Sequence, residues 1–243
     1  LNTAMLTLGT GWTDYGSTYS TPLVSVGAEG FVWVEGLLTK SSWAADEVVA
    51  TVASPYRVAD DNSLIFTQVS SGDYTTGFRI DVLSNGVIEY DGGAASGATW
   101  FPIRAFYFAA SASVTPITST TGITLSTGST NYGDPWSPIK AYKRSDGLVV
   151  VQGLLSFSSW PSSGTTTDLF SLPDSYLPGI QLIFAVRGDQ DQTHRIDVNT
   201  DGNVDIRPEA TGTMGTWLSV SGMIYYAGTN TCPGYTDHTS YWA

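Results

Sequence analysis

Apolar and polar residues alternate along most of the chain in short runs, which predict β-strands rather than helices. Runs rich in β-branched and aromatic residues occur at 30–38, 147–155, 180–188 and 222–228. Gly, Asp and Pro bound these runs, and short strands at near-regular spacing are typical of an antiparallel sandwich or jelly roll. No stretch longer than about eight residues combines helical periodicity with helix caps. The pattern therefore predicts an all-β fold.

The same sequence unit occurs twice. "LTLGTGWTDYG" (6–16) matches "ITLSTGSTNYG" (123–133), and "EGLLTKSSW" (35–43) matches "QGLLSFSSW" (152–160) at the same offset. This repeat is too long for a solenoid, whose units run about 20 to 50 residues. It predicts two tandem antiparallel β-sandwich (jelly-roll-like) domains related by duplication. The expected boundaries are a first domain at 1–110, a Ser/Thr/Pro linker at 111–120, a second domain at 121–227 and a polar, aromatic C-terminal tail at 228–243.

One segment of the second unit, "RIDVNTDGNVDI" (195–206), resembles the start of a calcium loop. Oxygen-bearing side chains at alternate positions could wrap a cation, and a Gly could make the sharp turn. The matching segment of the first unit (79–90) has Leu83 in place of Asn199, and Leu offers calcium no ligand. The twelfth loop position, which needs a bidentate acid, is Pro208. A specific calcium loop is therefore disfavoured, and we expect no metal site.

Both segments fit a β-hairpin better. A three-residue loop ending in Gly86 or Gly202 suits a type I turn followed by a residue with positive φ. This loop length keeps the apolar side chains on one face, whereas a slip of one residue would exchange the faces. The predicted register pairs Val198 with Val204, Ile196 with Ile206, Val82 with Ile88, and Ile80 with Tyr90.

The same register sets two acid pairs on the polar side of the sheet, Asp197 facing Asp205 and Asp81 facing Glu89. Like charges directly opposite each other are mildly destabilising. An Arg lies two residues before the first acid of each pair, so we interpret the pairs as part of a ladder of ion pairs on a solvated face. A weak surface cation site and a polar contact with a partner remain alternatives.

Charge excludes several classes of function. The formal net charge is −12, from 10 Lys and Arg against 22 Asp and Glu, so a basic patch for nucleic acid is not expected. Binding to anionic membrane surfaces is disfavoured for the same reason. The sequence also contains no apolar run of about 18 residues, which membrane insertion of a helix would need. The one cysteine, Cys232, allows no internal disulfide; it is interpreted as an incidental thiol, with an intermolecular bridge as the alternative.

Catalytic motifs are missing from the sequence. There is no G-x-S-x-G elbow, no Walker loop, and no metal-ligand spacing between the two histidines, His194 and His238. His194 lies in "GDQDQTHR", which is interpreted as a solvated connection between strands. The acid pairs could in principle perform glycosidase chemistry, but nothing in the sequence indicates a raised pKa or a cleft. We expect no enzyme activity and no cofactor.

Aromatic residues remain as candidates for ligand binding. Trp43 with Trp160, and Trp100 with Trp217, recur in both units and are interpreted as core anchors. Trp12 and Trp136 have no evident counterpart, so we expect them to be exposed, where a ring can stack on a sugar face beside hydrogen-bonding groups. The candidate glycan-binding residues are Trp12, Asp14, Tyr15, Asn131, Tyr132 and Trp136.

A series of short motifs in the second unit carries a family resemblance. The motifs are Lys143, Asp146-Gly147, Leu172-Pro173 with Tyr176 and Pro178, and Trp217-Leu218-Ser219. In this wording and order they resemble the C-terminal domains of bacteriophage tail fibres and minor tail proteins. The first unit departs from the pattern, with "VASPYRV" in place of the Leu-Pro-x-x-Tyr-x-Pro block. The resemblance implies a virion surface protein, often trimeric, built of β-sandwich knobs, and implies no particular binding residues.

The expected function is therefore a phage tail fibre or receptor-binding tip that attaches non-covalently to a host-surface glycan. We expect it at the virion surface, as a homotrimer in contact with other virion proteins. One alternative is a structural virion protein, such as a capsid decoration or tail ornament, that binds other virion proteins. The other is a carbohydrate-binding module of a larger enzyme.

Overall fold

The computed structural model describes residues 2–58, 62–69, 77–92, 99–158, 165–189, 192–207 and 215–228. Strands make up 54% of the structure, and the described ranges contain no α-helix. The all-β prediction is confirmed. Below, "first half" means residues up to Ala110 and "second half" means residues from Ser111 onward.

The first half forms two antiparallel sheets that enclose a common core. Its strands are β1 (Asn2–Met5), β2 (Thr7–Leu8), β3 (Thr13–Asp14), β4 (Leu23–Val26), β5 (Phe31–Thr39), β6 (Glu47–Thr51), β7 (Leu64–Val69), β8 (Gly77–Val82), β9 (Val87–Tyr90) and β10 (Phe101–Phe108). One sheet has the order β1-β4-β5-β10, with β3 also pairing with β5, and the other has the order β2-β6-β9-β8-β7. Val32 and Val34 of one sheet and Ile80 and Ile88 of the other belong to the same buried cluster.

The second half repeats this strand order with its own core. Its strands are β11 (Ile117–Thr118), β12 (Thr124–Leu125), β13 (Ser129–Asn131), β14 (Lys140–Lys143), β15 (Leu148–Gln152), β16 (Leu154–Phe157), β17 (Thr167–Ser171), β18 (Leu182–Arg187), β19 (Thr193–Val198), β20 (Asn203–Arg207), β21 (Trp217–Ser219) and β22 (Met223–Tyr226). The order β12-β17-β20-β19-β18 matches β2-β6-β9-β8-β7, and β14-β15-β22 matches β4-β5-β10. A common origin by duplication remains a prediction.

The hairpin register follows the sequence pattern in both halves. Val198 faces Val204 and Ile196 faces Ile206, while Val82 faces Ile88 and Ile80 faces Tyr90. Gly86 and Gly202 have φ of 92° and 95°, a conformation that a side chain with a Cβ disfavours. The predicted register and turn are confirmed.

A buried tyrosine fixes each sandwich at one end. The Tyr107 hydroxyl donates a hydrogen bond to the Tyr56 carbonyl at 2.7 Å, and the Tyr225 hydroxyl donates to the Tyr176 carbonyl at 3.0 Å. The acceptors lie in short 3-10 turns, Ser54–Tyr56 and Asp174–Tyr176. The divergent "VASPYRV" segment therefore makes the same contact as its counterpart in the second half.

The predicted linker contributes to folded structure. Within 111–120, β11 pairs with β14 through Ile117 and Ala141, and Ala112 and Val114 pack against a cluster shared by the halves. In that cluster Phe108 stacks on Tyr142 with ring centroids 4.5 Å apart. The halves thus share an apolar contact across the predicted boundary.

Candidate functional site

The six predicted glycan-binding residues do not form one site. Trp12 was expected to be exposed, and this was wrong, because only 4% of it is accessible. Its ring packs against Trp43 at 5.1 Å and Phe101 at 4.9 Å, inside an aromatic cluster of the first core. The structure therefore makes Trp12 a core residue, while its counterpart in the second half is the small Ser129.

Trp136 is half-buried at the junction of the halves, not on an open surface. Its ring lies 5.3 Å from the Arg79 guanidinium carbon. The statement that it has no counterpart was also wrong. The Leu37 N–H donates to the Ser20 carbonyl and the Leu154 N–H to the Ser137 carbonyl, so Tyr19 occupies the place of Trp136. Tyr19 and Trp136 lie at the same offset as the matched segments 6–16 and 123–133, but their different side chains obscure the match.

Asn131 has a structural role. Its Oδ1 accepts a hydrogen bond from the Ile139 N–H at 2.9 Å, and its Nδ2 donates to the Ser119 hydroxyl at 3.2 Å. Asp14 is exposed, and its Oδ1 accepts the Gly16 N–H at 2.9 Å, which holds the loop that follows.

Two tyrosines remain on the surface at equivalent positions. Tyr15 is 39% and Tyr132 is 43% exposed, and each backbone N–H donates at 2.9 Å to the matching carbonyl of Leu37 or Leu154. Beside Tyr15, the sequence analysis missed Tyr19, which is 57% exposed and meets the Tyr15 ring edge-on at 5.4 Å. This exposed aromatic pair with Asp14 is the part of the predicted site that the structure brings together.

The acid pairs have the predicted register but not the predicted exposure. Asp197 faces Asp205 and Asp81 faces Glu89. The solvated face was a wrong expectation, because Asp81, Asp197 and Asp205 are 5%, 0% and 8% exposed; Glu89 is half-buried. Arginine side chains and neighbouring strands cover these carboxylates. Alternation of apolar and polar residues therefore identifies the sheet face that points away from the core, but it does not show whether that face is exposed to water.

Arginines satisfy the first acid of each pair. Arg79 donates to both oxygens of Asp81 at 2.7 and 2.6 Å, and Arg195 does the same to Asp197 at 2.7 and 3.0 Å. Arg207 adds a contact to Asp197 at 3.0 Å. Bidentate contacts of this kind are strong charge-assisted hydrogen bonds. The bidentate pairs therefore run along single strands, from each Arg to the acid two residues later, while Arg207 reaches Asp197 from the neighbouring strand.

Buried carboxyls in both halves have raised pKa values. Burial raises the pKa of Asp81 to about 6, against the opposing effect of Arg79. Burial also raises the pKa of Asp205 to about 6, with the facing Asp168 adding to the effect and the Asn199 hydrogen bond opposing it. Burial, followed by the charges of Asp46 and Asp91, raises the pKa of Glu89.

His194 lies within β19, and the expectation of a solvated loop was wrong. Only 7% of it is accessible, and burial followed by the Arg187 charge lowers its pKa. Cys232, His238, Trp160 and the segment 229–243 lie outside the described residues.

A cavity of about 250 Å³ lies at the junction of the halves, lined by Gln68 and Arg104 from the first and by Ala185 and Ser221 from the second, among others. None of the predicted site residues lines it. In the part of the chain that the structure describes, no three His, Cys, Asp or Glu side chains are placed to hold a metal ion. The described residues also include no helix long and apolar enough to cross a membrane.

Comparisons with known proteins add no family. No protein-family model matches the chain, and neither does any curated protein.

Proposed function

We propose that this chain is a bacteriophage virion surface protein, in a tail fibre or receptor-binding tip, that attaches non-covalently to a host-surface glycan. The resemblance of the second-half motifs supports the virion context. The observation that supports attachment is the exposed tyrosine at the same place in both halves, Tyr15 and Tyr132. An exposed ring presents an apolar face for a sugar while its hydroxyl can hydrogen-bond.

Neighbouring groups suit this role better at Tyr15 than at Tyr132. Asp14 is exposed beside Tyr15 and keeps Oδ2 for a sugar hydroxyl while Oδ1 holds the loop, and the Tyr19 ring lies edge-on to Tyr15. Asn131 uses its amide within the fold. The first half is therefore the primary site and the second half the weaker one.

Binding without catalysis is part of the proposal. Of the carboxyls with raised pKa values, Asp81 and Asp205 are buried and Glu89 is half-buried, and none of the three lines the junction cavity. Glycoside hydrolysis needs two carboxyls that flank a bound sugar. A sugar cannot lie between these carboxyls, because neighbouring side chains cover Asp81 and Asp205.

Glycan-array binding of the full chain tests the proposal. We expect Tyr15→Ala to lower binding to the recognised glycan at least about tenfold, Tyr132→Ala to lower it less, and the double variant to abolish it. Tyr15→Phe should keep most of the binding because the ring face remains. Tyr226→Ala is the matched control, since Tyr226 is 37% exposed on β22. Unchanged binding by the double alanine variant would refute the site.

A second candidate is a structural virion protein that binds other virion proteins. Two large apolar side chains favour it, Ile180 and Ile183, which are 52% and 60% exposed and lie at the edge of one sheet. Exposed apolar groups that form a contiguous patch mark sites of interaction with other proteins. Under this candidate Ile183→Arg removes the protein contact and leaves glycan binding unchanged.

A further inference from the structure

Equivalent positions of the two halves differ sharply in exposure on one sheet face. Ile65 faces Asp81 in the first half, and Ile183 faces Asp197 in the second, so the isoleucines are equivalent. Ile65 is 2% exposed and Ile183 is 60% exposed. The side chain of Arg79 is 15% exposed and that of its equivalent, Arg195, is 33% exposed.

We call Ser63, Ile65 and Arg79 the covered face, and Gln181, Ile183 and Arg195 the open face. Ser63 is 5% exposed, whereas Gln181, which also directly precedes the edge strand of its sheet, is exposed. Three equivalent pairs thus show the same trend. The difference comes from what lies above each face.

Hydrogen bonds hold the second half over the covered face. The Ser219 hydroxyl donates to the Ile65 carbonyl at 2.8 Å. The Ser63 N–H donates to the Pro135 carbonyl at 3.0 Å, and the Ser137 N–H donates to the Ser63 carbonyl at 3.0 Å. Two short backbone contacts and one buried hydroxyl therefore hold the second half on this face.

Two tryptophans complete the cover. The Arg79 guanidinium carbon lies 5.3 Å from the Trp136 ring centroid and 5.1 Å from the Trp217 ring centroid. A guanidinium over an aromatic ring is attracted to the ring face, and the attraction is stronger where the contact is shielded from water.

The first half carries the equivalents of these covering residues on its own surface. Tyr19 replaces Trp136, Ser20 replaces Ser137, and "WFP" at 100–102 replaces "WLS" at 217–219. Tyr19 is 57% exposed, Ser20 is exposed, and Trp100 and Pro102 are half-buried. We call these four residues the covering surface. In the described part of one chain its Tyr19 and Ser20 are exposed, as are Gln181 and Ile183 of the open face.

We propose that the open face binds the covering surface of a second copy of this chain, head to tail, in the same way that the second half covers the first. Arg195 then lies under Tyr19 and Trp100 of the second copy, the Gln181 backbone pairs with the segment ending at Ser20, and Ile183 becomes buried. The two surfaces differ, so the contact is heterologous and propagates into a closed ring or an open filament.

The intermolecular contact should be weaker than the internal one. Pro102 stands where Ser219 donates its hydroxyl, so that hydrogen bond is not repeated. The net charge of −12 on each chain also opposes association, and this repulsion weakens as salt screens it. Association should therefore depend on concentration and increase between low and moderate ionic strength.

Sedimentation equilibrium of the full chain tests the inference. We expect masses above the 25.9 kDa of one chain, rising with concentration. Ile183→Arg and Tyr19→Arg should each weaken association at least about tenfold without changing the melting temperature at concentrations where the parent protein is monomeric, because both side chains are exposed. Val48→Arg is the control, since Val48 is 39% exposed elsewhere on the first half. The readout is mass, so the inference can fail while the glycan proposal stands, and the reverse.

Three results would overturn the inference. The first is a 25.9 kDa species at every concentration and salt. The second is an oligomer that Ile183→Arg disrupts and Tyr19→Arg does not, which would assign the open face a different occupant. The third is a monomer in which Ile183→Arg lowers the melting temperature, which would indicate that the chain's own segment 229–243 covers the face.

Discussion

The Ser219 hydroxyl donates a hydrogen bond to the Ile65 carbonyl at 2.8 Å and so joins the two halves at a buried point. Ser219 is 1% exposed, so its removal leaves an acceptor without this donor and without ready access to water. We expect Ser219→Ala to lower the free energy of unfolding by about 1–2 kcal/mol, measured by urea denaturation. Ser25→Ala is the control; its hydroxyl contact with Thr3 is exposed, and a change of similar size there would contradict the assignment.

The buried tyrosines predict matched effects in the two halves. Tyr107→Phe and Tyr225→Phe each remove one hydroxyl that donates to a turn carbonyl. Each should cost about 1 kcal/mol of unfolding free energy, because the volume is kept and only the hydrogen bond is lost. Thermal unfolding measures both. A cost at Tyr107 with none at Tyr225 would contradict the equivalence of the two ends.

Asp197 should be the most sensitive of the paired acids. It is fully buried and accepts from Arg195, Arg207 and Gln181. We expect Asp197→Asn to cost about 2 kcal/mol, less than the roughly 3–5 kcal/mol of a fully buried pair, because the Arg207 side chain is 46% exposed and water screens it. Chemical denaturation measures the difference.

The matched control is Asp146→Asn. Asp146 pairs with Arg144 at the surface, with 32% of its side chain exposed, and Asn can still accept the Leu148 N–H. Its loss should stay below about 1 kcal/mol. If both substitutions cost the same, burial does not govern the strength of these pairs.

Asp205 predicts a pH dependence of stability. Its folded pKa is raised to about 6 from an ordinary value of 3.8. Between about pH 4 and pH 6 the folded state therefore binds more protons than the unfolded state, so this group lowers stability as the pH rises through that window. The sign is opposite to that of a salt-bridged carboxylate with a depressed pKa.

Comparison with Asp205→Asn isolates this contribution. The variant should gain stability relative to the parent protein on going from pH 4 to pH 7, measured by thermal unfolding at each pH. Asn203→Ala, in the same hairpin, is a control that removes no ionisable group. A relative stability of Asp205→Asn that stays constant from pH 4 to pH 7 would contradict the raised pKa.

The hairpins could be predicted from the sequence because the residues within each hairpin determine its turn and register. Alternating apolar residues and a Gly after two turn residues specify the loop length, and the register follows. The burial of Trp12 depends instead on contacts with Trp43 and Phe101, far along the chain. A Trp beside a Gly-rich turn has the same local pattern whether it packs inward or faces water.

Ile65 and Ile183 show the limit most clearly. Each lies in a segment with the sequence "LIF", at equivalent places in the equivalent sheets of the two halves, yet Ile65 is buried and Ile183 is exposed. No local pattern distinguishes them, because the difference comes from the second half lying over the first. The candidate interface therefore could not be predicted from local sequence, because it depends on how the two halves pack against each other.

A mixing experiment tests the head-to-tail contact most directly. The Ile183→Arg substitution disrupts the open face and leaves the covering surface intact. The Tyr19→Arg substitution disrupts the covering surface and leaves the open face intact. We predict that each variant alone has the mass of one chain, 25.9 kDa, and that an equimolar mixture forms a species of two chains and no larger. A mixture in which both variants remain monomeric, measured by light scattering at concentrations where the parent protein associates, would contradict the account.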